Sequence, residues 1–290
     1  MTELTVVPLA PTFAAEVRGI DCTETLDERT QSELRTLLAQ RGVLVFREQC
    51  LEPHDQVRVL GAFGNVLDEA HDGSMHSYVS TDATSLVKPG RLLFHTDNHF
   101  MPVPLEVLSL CGVQVDQKSA STLFVDNVAA YGRLSADLTE MLEGAEAVNV
   151  SYYFYGDGGD RPARWVAPDH PDAPRTAHPC IGHYPGSGAP YVYVTELHTH
   201  HIVNMERGQS DDLLRTVEAV LYEATWMYEH HWQPGDLLIW DNHTTQHARG
   251  PVPDLEIDPT APARSLRRVV VGPIDYQDQM ALAGAAAPVE

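Results

Sequence analysis

Lysine is almost absent from this 290-residue chain: only Lys88 and Lys118 stand beside 17 arginines, against 41 acidic residues, for a formal charge of −22. That deficit argues against a nucleic-acid partner, since phosphate contacts need clustered Lys and Arg. The arginine bias reads as composition, so a single inward arginine carries less weight here than in a lysine-rich chain. Cysteine is scarce too. Cys22, Cys50, Cys111 and Cys180 are widely spaced and form no CxxC pair, which fits neither structural zinc nor a disulfide framework. No apolar run approaches the ~20 residues of a membrane-spanning helix, and the N-terminus lacks a basic start followed by an apolar stretch. The expectation is a cytoplasmic protein with no membrane partner.

What the chain does have is enough apolar residue, 43%, for a sizeable core. One domain over residues 1–290 is expected, with loop excursions at about 66–90 and 155–190 and a frayed tail at about 280–290. Thr25 and Glu28 have the spacing of a capping box, opening a helix with Leu26, Leu34, Leu37 and Leu38 at helical intervals and Gly42 at its end. A second helix is expected over Glu52–Phe63, others over Ala129–Leu142 and Ser210–Thr225. Strands are expected at 43–46, 92–97, 105–116, 121–125, 190–196, 228–233, 236–241 and 266–272. Strands at both ends of a helix-bearing chain suggest a mainly β fold with flanking helices, a double-stranded β-helix of the cupin-like jelly-roll type.

The chemistry concentrates in two places. Phe94-His95-Thr96-Asp97 contains a His-X-Asp pair, and on an extended segment side chains two apart share a face. Far along the chain, Trp240-Asp241-Asn242-His243-Thr244-Thr245-Gln246-His247 ends a turn-and-strand passage in a second histidine. Two imidazoles and one carboxylate make a facial triad that leaves half of an octahedral metal open, the site of non-haem Fe(II) oxygenases. A lone His-X-Asp is weak, since it also describes a strand-end histidine bonded to a nearby aspartate. Arg264 and Arg268 follow, sharing a face if that segment is a strand, with Arg267 opposite. An arginine on the inner face of a barrel is costly unless it meets a carboxylate.

Taken in order, these motifs resemble the taurine dioxygenase (TauD/TfdA) family of Fe(II)- and 2-oxoglutarate-dependent oxygenases, which includes enzymes that oxidise aryloxyalkanoate herbicides. The resemblance runs from about Leu4 to Val271. It takes in Ala15–Asp21, Leu44–Arg47, Pro53–Gly64, Phe94–Asp97, Ser121–Phe124, Trp240–His247, Arg264 and Arg268. It implies His95, Asp97 and His247 as metal ligands. It implies Thr122 and Arg264 as the grip on the distal carboxylate of 2-oxoglutarate, and Arg268 as a second active-site arginine, in contact with co-substrate or an anionic substrate. Fe(II), 2-oxoglutarate and O2 would be the cofactor and co-substrates, with succinate and CO2 released. Two departures stand out: Phe94 occupies a position usually held by tryptophan, and Arg264 lies 17 positions beyond His247 across a proline-rich insert. The retained Asp97 argues against the halogenating members of the superfamily.

Substrate contacts are expected from Arg91, four residues before His95, and from His198, beyond the Tyr191–Glu196 segment. His76 in the first excursion and Tyr152 in the aromatic run Tyr152–Tyr155 are further candidates. His71 could join a lid, His198, His200 and His201 could be read as a metal cluster, and Asp241 would orient its neighbours. The expected substrate is a small, anionic organic molecule, an organic acid or a secondary-metabolite intermediate in preference to taurine itself, with sulfonate or aryloxyalkanoate catabolism as the alternative. Hydroxylation, desaturation and epoxidation stay open, and a homo-oligomer is compatible with the sequence. The rivals are a zinc hydrolase using the same triad, which leaves Thr122 and Arg264 without a partner, and a non-catalytic ligand-binding barrel, which needs no triad.

Overall fold

The computed structural model describes residues 4–69, 71–80, 91–116, 119–151, 162–165, 173–185, 187–250, 264–275, 278–279 and 281–282. In chain order the elements begin β1 (Thr5–Pro8), β2 (Ala15–Arg18), α1 (Glu28–Arg41), β3 (Val43–Phe46), α2 (Pro53–Leu60), β4 (Ser77–Ser80) and β5 (Leu92–His95). Next come β6 (Val107–Gln114), β7 (Thr122–Asp126), α3 (Asn127–Tyr131), α4 (Ala136–Leu142), β8 (Glu146–Val150), β9 (Arg175–Pro179), β10 (Ile181–His183) and β11 (Pro190–Val192). The last are β12 (Thr199–Ile202), α5 (Arg207–Leu221), β13 (Tyr228–His230), β14 (Leu237–Asp241), β15 (Thr245–Arg249) and β16 (Ser265–Val271). The fold is mainly β with flanking helices, and no helix among the described residues is long and apolar enough to cross a membrane.

Two sheets position the site. The larger has strand order β1-β2-β3-β14-β6-β16-β4, the smaller β13-β7-β15-β5. The central strands of the larger sheet read as continuous apolar runs because both faces are covered, and period-two alternation deals their side chains to different partners. Val43, Val45, Leu108, Leu110, Leu238 and Trp240 point to a core shared with Phe124 and Tyr228 of the smaller sheet. Leu44, Phe46, Val107, Cys111, Leu237 and Ile239 face the opposite way, onto Leu34 and Leu38 of α1 and Val59 and Leu60 of α2. A third core gathers α3, α4 and α5 around β8, β10 and β11. All four cysteines are free.

Several expectations need correction. Asp27, not Thr25, caps α1, its carboxylate accepting from the Thr30 N–H at 2.8 Å. The helix expected over Ala129–Leu142 is two, because Gly132 closes the first and the Ser135 side chain caps the second. The first excursion contains edge strand β4, and the second contains β9 and β10. The strand expected at 92–97 ends at His95, so Asp97 lies in the turn beyond it.

Candidate metal centre

β14 lies in the larger sheet and β15 in the smaller, so residues 242–244 carry the chain from one to the other. Asp241 shapes that turn: its Oδ1 accepts from the His243 and Thr244 N–H groups and the Thr244 hydroxyl, and its Oδ2 accepts from the Tyr184 hydroxyl at 2.9 Å. β15 then runs antiparallel to β5 with His247 directly opposite His95. The two rings lie 4.2 Å apart between centroids. A remote pair in sequence is thus a nearest-neighbour pair in the sheet.

Asp97 reaches the same point from its turn. One donor atom each from His95, Asp97 and His247 lie within 4.8 Å of one another, the only such cluster among the described residues. His95 Nδ1 donates to the Leu93 carbonyl at 2.8 Å, which leaves Nε2 as a lone-pair donor 3.2 Å from Asp97 Oδ1. Metal bonds of about 2.1 Å at right angles put neighbouring donors about 3 Å apart, so that spacing suits one ion. His247 Nε2 is 3.9 Å from Asp97 Oδ2, and His247 Nδ1 is buried without a hydrogen-bond partner. Burial and the neighbouring His95 push His247 down to about 3, so it is a neutral, metal-competent imidazole. Burial works to raise the Asp97 carboxyl, but Arg268, His247 and His95 hold it well below the usual range. The residues present fit a divalent metal.

Two residues that the motif reading did not single out fix Asp97. Asn242 Oδ1 accepts from the Asp97 N–H at 3.0 Å, and its Nδ2 donates to the Asp97 carbonyl at 3.0 Å and the Leu105 carbonyl at 2.9 Å. Glu69 takes Arg268 Nε at 2.8 Å and Nη2 at 3.0 Å, while Arg268 Nη1 donates to Asp97 Oδ2 at 2.6 Å. Arg268, expected at the co-substrate or at an anionic substrate, pairs with two carboxylates, one of them the candidate ligand Asp97. Arg267 faces the other way, donating to Gln56 Oε1 and the Leu51 carbonyl.

A second polar group lies at the other end of β15. Arg249, two residues beyond His247, pairs across the sheet with Thr122 on one side and Leu92 on the other. Arg264 is buried, donates to the Ala120 carbonyl at 2.6 Å, and is driven down to about 9 by burial and by Arg249 beside it. Two close buried guanidiniums and the Thr122 hydroxyl, which accepts from Trp232 Nε1 at 2.9 Å, make a cradle suited to a carboxylate. Arg249 was missed; its two-residue offset from His247 on a strand was the available signal.

The expected substrate residues divide. His198 is buried beside the triad, its ring edge-on to His95 at 6.0 Å and 5.2 Å from Phe100, and its Nδ1 donates to the Val150 carbonyl. Arg91 is 69% exposed in its side chain and 4.0 Å from Glu196, at the surface. His76 Nδ1 binds the Ser74 carbonyl at 2.7 Å and its ring packs on Tyr78, away from any contact with the triad that the described residues show. His71 takes a positive φ in the turn before it. His200 and His201 join each other and Arg207, not a metal cluster. Tyr152, with Tyr153, Phe154 and Tyr155, lies outside the described residues.

Comparison with known proteins assigns the chain to a family. The family described as taurine catabolism dioxygenase TauD, TfdA family matches residues 5–270. The chain belongs to that family. Pentalenolactone F synthase of Streptomyces arenae is 29% identical over 92% of this chain and 94% of its own length. The alpha-ketoglutarate-dependent 2,4-dichlorophenoxyacetate dioxygenase of Cupriavidus pinatubonensis is 28% identical over 83% and 90%. Among solved structures, AAD-2 in complex with Mn(II) and N-oxalylglycine superposes with a TM-score of 0.77 at 23% identity, over 94% of this chain and 98% of that one, a likeness of fold. As a family member the chain is a non-haem iron oxidoreductase dependent on 2-oxoglutarate, using Fe(II), 2-oxoglutarate and O2.

Proposed function

We propose that this enzyme oxidises an unactivated C–H position of a small organic molecule, by hydroxylation, desaturation or epoxidation, at a metal held by His95, Asp97 and His247. The observation that carries the reading is the register pairing of His247 with His95, with the Asp97 carboxylate between them. The two sheets would close as a double-stranded β-helix, in one domain spanning the chain.

Bound Fe(II), with 2-oxoglutarate and O2, supplies the oxidising power, and succinate and CO2 are the co-products. The protein's own part is positioning and exclusion of water. His95, His247 and Asp97 would hold three positions on one side of the metal, leaving the other side for the keto acid and O2. Arg264, with Thr122 and Arg249, would take the distal carboxylate of 2-oxoglutarate in a charge-assisted contact. Trp240 and Phe124 pack on the His247 ring at 5.0 and 6.0 Å, keeping that flank dry. His198 and Phe100 would form the wall on the His95 side.

Relatives with secondary-metabolite and herbicide substrates make a small organic molecule the expected partner, and the protein is proposed to work in the cytoplasm. The anion expected at Arg91 finds an exposed guanidinium near Glu196 instead of a buried grip. Anaerobic loading with Fe(II) and 2-oxoglutarate, followed by O2, tests the reading. Succinate release stimulated by small organic compounds is expected, and His247→Ala should abolish both Fe(II) retention and turnover. Hydrolysis without O2 consumption would put a zinc hydrolase in its place.

A further inference from the structure

The most unusual group beside the triad is Glu69. The segment before it is fastened to the larger sheet by a bridge from Val66 to Val271 and by the Leu67 N–H donating to the Val270 carbonyl at 3.0 Å. That places residue 69 next to Arg268, and the Ser77 hydroxyl donates to Glu69 Oε2 at 3.0 Å. Ser77 itself stands opposite Arg268 in the β4–β16 register. The contact is therefore fixed at both of its ends.

A guanidinium offers five N–H groups in a planar fork, and it grips an anion best by presenting two of them in parallel. At Arg268 the Nε/Nη2 edge is filled by both oxygens of Glu69, and Nη1 is taken by Asp97. The side chain is only 13% exposed. Glu69 balances the charge of Arg268 one to one, and Asp97 is a ligand of the proposed metal, so the guanidinium has no charge left over for an arriving anion. A carboxylate or sulfonate arriving there would find three of the five N–H groups already taken, the parallel Nε/Nη2 pair among them, and would sit beside Glu69 with like charge.

We propose that Glu69 is a specificity-determining residue that closes Arg268 to anionic substrates, so that the molecule oxidised is uncharged where it passes Arg268. This rests on the function proposed above and narrows its substrate class. The exclusion works by an unfavourable interaction with the wrong ligand, not by a new contact with the right one.

The test is an anaerobic titration of the enzyme loaded with Fe(II) and 2-oxoglutarate, followed through the visible charge-transfer band of the metal-bound keto acid. The probes are 2,4-dichlorophenoxyacetate and its neutral amide, which share one carbon skeleton. The unaltered enzyme should respond to the amide at lower concentration than to the acid. Glu69→Gln should tighten the acid by about tenfold or more with little change for the amide, since a like charge is removed. Adding Arg268→Met to Glu69→Gln should cancel the gain. A Glu69→Gln protein, and a Glu69→Ala protein as a second variant, that gain no affinity for the acid relative to the amide would overturn the proposal while the band leaves the oxygenase reading intact. Absence of the band in the unaltered enzyme would overturn both.

Discussion

Asn242 clasps Asp97 through the backbone, accepting from its N–H and donating to its carbonyl, each at 3.0 Å across 145 residues of sequence. The carboxylate ligand sits in a turn, not on a strand, so nothing in the sheet ladder sets its direction. Asn242 takes over that task, and it belongs to the same turn that launches β15 toward His247. One short passage therefore delivers the distal histidine and aims the aspartate.

Asn242→Ala should lower stability by about 2–4 kcal/mol, because three hydrogen bonds, one buried and two partly buried, lose a partner. Fe(II) affinity should drop by about 10- to 100-fold, the usual cost of losing a group that orients a ligand. Asn242→Asp keeps the acceptor for the Asp97 N–H but faces two carbonyls with no donor, so it should rescue little. Urea denaturation and Fe(II) titration on the same samples separate the two effects. An alanine variant with unchanged Fe(II) affinity would remove Asn242 from this role.

Arg264→Lys should raise the 2-oxoglutarate concentration needed for half-formation of the charge-transfer band by about 10- to 100-fold. A point ammonium cannot reproduce a planar fork that binds the Ala120 carbonyl and still meets a carboxylate. Fe(II) affinity without 2-oxoglutarate should hardly move, since Arg264 lies beyond the triad. Equal losses in both titrations would mean that Arg264 supports the fold and not the co-substrate.

How legible was this in the sequence? The triad was, because its three residues carry distinctive chemistry at distinctive places, and the long strands were, because burial on both faces leaves an unbroken apolar run. Short strands such as β8, β9 and β12 escape because four or five residues carry too little periodicity to separate from loops. The cap of α1 was misplaced because Thr25 and Asp27 both offer an acceptor near the start, and only the chain's path decides which side chain meets the Thr30 N–H. Glu69 is invisible in the sequence for a different reason. Its meaning lies in what it touches, Arg268, and that contact leaves no local pattern, whereas Arg249 leaves only its two-residue offset from His247.

Gly42→Ala should destabilise by about 1–3 kcal/mol. Gly42 ends α1 at φ 66°, and a Cβ there would lie 2.7 Å from Thr245 Cγ2. Thr245 opens β15 two residues before His247, and its hydroxyl donates to the Asp241 carbonyl at 2.6 Å. Relief of the clash would push on the turn that places the distal ligand, so Fe(II) affinity should weaken along with the thermal midpoint. A lowered midpoint with intact Fe(II) affinity would show that the helix end and the turn yield independently.

Acid should destabilise the metal-free chain through its buried histidines. Burial, then the neighbouring His95, depresses His198 from 6.5 to about 3, and burial with Arg207 depresses His200 to about 4. Each ring is neutral in the folded protein and takes up its proton first when unfolded. Between the folded and unfolded values the unfolded state therefore binds more protons, so stability rises with pH and is lost as pH falls from about 6.5 toward 3 or 4. Fully buried His198 alone can contribute a slope of up to about 1.4 kcal/mol per pH unit in that window. The urea midpoint should accordingly be flat above about pH 7 and fall steadily below it. His198→Phe, which fills much the same space without a titrating group, should be less steep across the same window. An unchanged slope in that variant would place the acid sensitivity elsewhere, among the other buried imidazoles.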